Sequence, residues 1–93
     1  MALTIVETGS IIKVTGTTDA ATEITSKLTK IKFIYWYKPT TAGQLCHIYA
    51  GNGSNEFKMA ADADGASQQW NIFTTFNGIW CDDLDSGELY IIT

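Results

Sequence analysis

The residues of this chain best equipped for chemistry are Cys46, His47, Cys81, Asp82 and Asp83. Thiolate, imidazole and carboxylate are the ligands of zinc and the parts of a nucleophilic relay. Their spacing supports neither use. Structural zinc takes paired ligands of the C-x-x-C kind, whereas Cys46 and His47 are adjacent, and adjacent side chains of a strand point to opposite faces unless a bulge intervenes. Buried thiols and a surface or interface histidine are the expectation, with a Cys46–Cys81 disulfide as the alternative if the two strands are neighbours. A hydrolytic relay would need a Cys or Ser brought against His47, the single histidine, and nothing in the spacing does this. The reading is of a non-enzyme with no catalytic residue, no cofactor and no metal site.

Other motifs reduce to turns. Asp62-Ala63-Asp64-Gly65 resembles the opening of a calcium loop but lacks the further oxygen ligands and the closing Glu. Asp side chains bonding their own turn backbone, with Gly at the strained position, explain it better. Asp82-Asp83-Leu84-Asp85 reads as a solvated loop, weak cation binding being the alternative. Gly51-Asn52-Gly53 has no Lys-Ser/Thr behind it and is a hairpin turn, not a phosphate loop.

Strand-like segments between Gly, Asn, Asp, Ser and Pro must carry these residues. Thr occurs 13 times, joined by Ile, Val, Tyr, Phe and Trp, and no stretch has a clean helical period. The expected strands are Ala2 to Val6, Ser10 to Thr15, Thr29 to Lys38, Gln44 to Ala50, Asn55 to Ala61, Gln68 to Thr74, Ile79 to Asp82 and Glu88 to Thr93. Thr17 to Thr25 fits either a helical turn or an edge strand. Pro39 to Gly43 should link Thr29–Lys38 to Gln44–Ala50 as a hairpin, making a meander with Asn55–Ala61, and Asn77-Gly78 should turn. Residues 1–93 are therefore expected to form one all-β domain, an antiparallel β-sandwich of seven to eight strands, a jelly roll being among the arrangements allowed. Phe33, Tyr35, Ile48, Phe57, Trp70, Ile72, Leu89 and Ile91 are its expected core.

Charge excludes some partners. The net charge is −4, all six basic residues are Lys, and there is no Arg. Nucleic acid and anionic membrane surfaces both want a denser cationic footprint. Met1 to Val6 lacks the features of a secretory signal, and no apolar run approaches the ~20 residues that span a bilayer.

Trp36, Trp70 and Trp80, with Tyr35, Tyr37, Tyr49 and Tyr90, are many large aromatics for one small core. Those left outside would anchor a protein interface, or stack on sugar rings as in a carbohydrate-binding module or lectin-like adhesin. Trp36, Tyr37 and Trp80 are the candidate interface residues.

The run Ile31-Lys32-Phe33-Ile34-Tyr35-Trp36-Tyr37-Lys38-Pro39-Thr40-Thr41-Ala42-Gly43, with Gly78-Ile79-Trp80 and the ending Leu84-Asp85-Ser86-Gly87-Glu88-Leu89-Tyr90-Ile91-Ile92, resembles small virion-associated β-sandwich proteins of tailed bacteriophages. The resemblance spans Lys30 to Thr93. It implies a virion structural or accessory role (head decoration, cement, or head–tail or fibre component), with other virion proteins or further copies as partners. It implies neither enzyme nor cofactor and carries over no site residues.

Overall fold

The computed structural model describes residues 3–51 and 55–93. Every regular element among them is a strand: β1 (Leu3–Thr8), β2 (Ile11–Gly16), β3 (Thr22–Tyr37), β4 (Leu45–Ala50), β5 (Asn55–Ala60), β6 (Gln68–Leu84) and β7 (Glu88–Ile92). They pair antiparallel throughout in one sheet of order β1-β2-β7-β3-β6-β4-β5.

The all-β antiparallel expectation holds, but one continuous ladder supplies both layers. β3 has 16 residues and β6 has 17. Laid straight, each would run about 53 to 56 Å at ~3.3 Å per residue, yet the longest dimension of the molecule is 33 Å. Both strands must therefore bend. They do so where their shared register slips, between Glu23 and Thr25, Thr25 and Leu28, and Ile31 and Phe33. One end of this bent spine carries β7, β2 and β1 on β3; the other carries β4 and β5 on β6. The two arms fold toward each other across a single cluster that includes Val14, Ile34, Trp36, Ile48, Cys81 and Ile91. The open side is closed by Phe57, whose ring meets Trp70 edge-on at 5.3 Å, and by Gln68, whose side-chain amide donates to the Ala60 carbonyl.

Several local expectations are corrected. Asn77-Gly78 is not a turn, because β6 runs straight through it; Gly78 absorbs the irregularity at φ +92, where a Cβ would lie 2.6 Å from the Trp80 ring. Thr29–Lys38 and Gln44–Ala50 are not a hairpin, since β6 lies between β3 and β4. The ambiguous Thr17–Thr25 segment holds a bridge from Thr18 to Leu84 and then the start of β3. β1 and β2 pair as a hairpin, and the β4–β5 hairpin forms as expected, although Asn52-Gly53-Ser54 of the latter's turn, and Ala2 of the expected first strand, lie outside the described residues.

Beyond Ile31 the inward face of β3 is the opposite of the one expected from Phe33 and Tyr35. Phe33 and Tyr35 are only half-buried, while Ile31, Ile34 and Trp36 are fully enclosed. Ile31 and Ile34 both point inward because the irregularity at Ile31/Phe33 changes the parity of the strand. Ile48, Leu89 and Ile91 are in the core as expected, Phe57 and Ile72 pack against it, and Trp70 remains 38% exposed at the closing edge.

Candidate functional site

Two outward faces result, one on each arm, and they look away from each other because their inward residues share one core. The first is built by β2, β7 and the C-terminal half of β3. Alternation sends Leu89 and Ile91 inward and leaves Tyr90 and Ile92 outward, directly opposite Tyr35 and Phe33 of β3. Tyr37 extends the row opposite Glu88, and Lys13 of β2 lies opposite Tyr90. Phe33, Tyr35, Tyr37, Tyr90 and Ile92 line an open groove of about 320 Å³. Their surface is almost wholly apolar apart from the tyrosine hydroxyls.

Charged groups border this groove. Lys38 Nζ stands 5.4 Å from the Tyr37 ring centre, and Lys13 Nζ stands 5.9 Å from that of Tyr90 and 3.5 Å from Glu88. Tyr90 Oη donates to Glu88 at 2.7 Å, which holds the carboxyl below its ordinary value and raises the phenol above its own, with Lys13 adding to the first effect. The tyrosine rings are tilted against one another by 35°, 40° and 75°.

The second face is built by β4, β5 and the C-terminal half of β6. The register of β4 on β6 slips between His47 and Ile48, so that Cys81 and Leu84 both point inward and Asp82 and Asp83 both stand toward the outside. That bulge aims Asp82 at its neighbours: one carboxylate oxygen lies 2.7 Å from His47 Nδ1, and the other accepts from Tyr49 Oη at 2.9 Å. The bond to Asp82 raises the Tyr49 phenol. His47 Nε2 is occluded, without a hydrogen-bond partner among the described residues, 4.0 Å from the Glu56 carboxylate. Asp83, crowded by Asp85, Asp82 and Asp19, is pushed up to about 6, burial being the largest cause.

The residues singled out from sequence are thus separated. Trp36 is not at a surface: it is fully buried, and its indole Nε1 donates to the Ser86 carbonyl at 2.8 Å. It belongs to the core because Ile34 and Trp36 share one side of β3, and the parity change after Ile31 turns that side inward. Tyr37, 37% exposed, is on the first face, and the half-buried Trp80 is on the second. Cys46 and Cys81 are buried free thiols directed inward, away from His47. Burial pushes Cys81 up to about 12 and Cys46 well above the ordinary thiol value. Asp82, Asp83 and Leu84 depart from their expected place in a solvated loop, since they lie within β6 and Leu84 is buried. Among the described residues no group of three or more His, Cys, Asp and Glu side chains is arranged to hold a metal ion.

Sequence reasoning missed the Tyr35–Tyr90 pairing, for which the alternating row Phe33, Tyr35, Tyr37 was the available signal. It also missed the His47–Asp82–Tyr49 cluster, which depends on a bulge with no mark in the sequence. No family model, no curated protein and no solved structure matches this chain.

Proposed function

We propose that this chain is a structural protein acting through protein–protein contacts, with the tyrosine face of β2, β7 and β3 as its docking surface. The setting that its resemblance suggests is the particle of a tailed phage, as a decoration, cement, head–tail or fibre component made in the host cytoplasm. The observation that carries the reading is the open row of Phe33, Tyr35, Tyr37, Tyr90 and Ile92. Tyrosine supplies large contact area at low conformational cost and is favoured at interfaces, and a contiguous apolar groove edged by charges has the anatomy of an interface core with a polar rim. A carbohydrate-binding role draws less support, because stacking on a sugar chain favours coplanar rings and these are tilted by up to 75°.

Light scattering across a concentration series tests the reading. A stable oligomer that dissociates in a Tyr35→Ser/Tyr37→Ser variant is the expected result. An oligomer unaffected by that variant would remove the tyrosine face from the assembly.

A further inference from the structure

The two outward faces differ in charge as well as direction. On the tyrosine side Lys13 and Lys38 flank the groove, and Lys30 and Lys32 continue the outward row of β3, while Glu88 is the facing carboxylate. Lys30, Lys32 and Lys38 make no ion pair among the described residues. On the opposite side Glu23, Glu56, Asp82 and Asp83 gather around Trp80 and Tyr49, with Lys58 and His47 as the local bases. Glu23, opposite Trp80, likewise has no ion pair among the described residues. One small chain of net charge −4 therefore gathers lysines, three of them without an ion pair among the described residues, on one face and carboxylates on the other.

From this charge complementarity we infer that the partner of the tyrosine face is a second copy of the chain, docked head to tail, its acidic Trp80 and Tyr49 face set against the first copy's lysine-edged tyrosine groove. The inference rests on the proposed role of that groove in protein contacts. Tyrosine face against tyrosine face would bring the lysines of two copies together, and like charges across an interface cost affinity. Head to tail, the lysine-edged face is set against the acidic one. Such a contact is heterologous: it leaves one of each face free after every addition, so it grows into a closed ring or an open filament rather than stopping at a dimer.

Charge reversal at exposed positions tests this on the intact protein by light scattering, with circular dichroism confirming the fold of each variant. Glu23→Lys/Glu56→Lys alters only the acidic face, and Lys13→Glu/Lys38→Glu only the tyrosine face. Each alone is expected to weaken self-association about tenfold or more, and an equimolar mixture to restore it, since each altered face then meets its complement. Raising the salt from low to high ionic strength should weaken the wild-type assembly in parallel. If Glu23→Lys/Glu56→Lys assembles like wild type while Tyr35→Ser/Tyr37→Ser does not, head-to-tail docking is overturned and the tyrosine face survives as an interface. If neither variant changes the assembly, both readings fail. A wild-type protein that stays monomeric at every concentration and salt overturns the second-copy partner and leaves the tyrosine face to a different protein.

Discussion

Replacing Trp36 by Phe separates a core residue from an interface residue. The indole is fully buried, and its Nε1–H is spent on the Ser86 carbonyl, 50 positions away in sequence, tying the end of β3 to the turn before β7. Phe keeps an apolar ring but removes this donor, leaving an acceptor unsatisfied and a gap where the second ring stood. The lost bond and the gap together should cost about 2 to 3 kcal/mol. For a domain of this size that corresponds to a fall in Tm of roughly 10 to 20 °C. Trp36→Ala should cost about 3 to 5 kcal/mol, a large part of the ~5 to 15 kcal/mol that holds a typical domain together. Tyr37→Phe, one residue along but outward, should stay within about 0.5 kcal/mol of wild type. Urea unfolding followed by far-ultraviolet circular dichroism measures all three, the midpoint reporting stability where the slope is unchanged. A Trp36→Phe protein that unfolds at the wild-type midpoint but loses self-association would refute the placement of this side chain in the core.

Gly78→Ala should destabilise by about 2 kcal/mol or more, since the residue has φ +92 and its new Cβ would stand 2.6 Å from the Trp80 ring; an unchanged urea midpoint would contradict this. Asp83→Asn should raise stability at neutral pH. The folded-state value of Asp83, about 6, lies above its ordinary 3.8, so the native protein binds the proton more readily and the penalty for the charged form fades as pH falls from about 6 toward 4. The difference in Tm between variant and wild type should therefore shrink across that window; comparing the two proteins cancels the opposite trend from Glu88, whose carboxyl is held low and whose contribution is lost on acidification. Cys46 and Cys81, buried and with raised thiol values, should resist a thiol-specific reagent at mildly alkaline pH and react only on unfolding; rapid labelling of either in the native protein would place it at a surface.

The fold class was legible in the residue types. β-Branched and aromatic residues in short runs between turn residues have few ways to bury themselves other than a pleated sheet, and β1, β2, β4, β5 and β7 lie close to where alternation puts them. Adjacency in the chain also keeps Cys46 and His47 from acting together, because neighbours on a strand diverge. Which aromatics lie outside depends instead on how distant strands pair. Period-two alternation identifies two faces but does not say which is inward where both are apolar, as in β3, and the Ile31/Phe33 irregularity then exchanges them. The same holds for Asn77-Gly78, whose turn signal is overridden because β6 is paired along both sides of that point, and for Asp82, which reaches His47 and Tyr49 through a bulge against β4. Register and bulges are set by how distant strands fit together, and that fit is a property of the folded sheet rather than of any local run of residues.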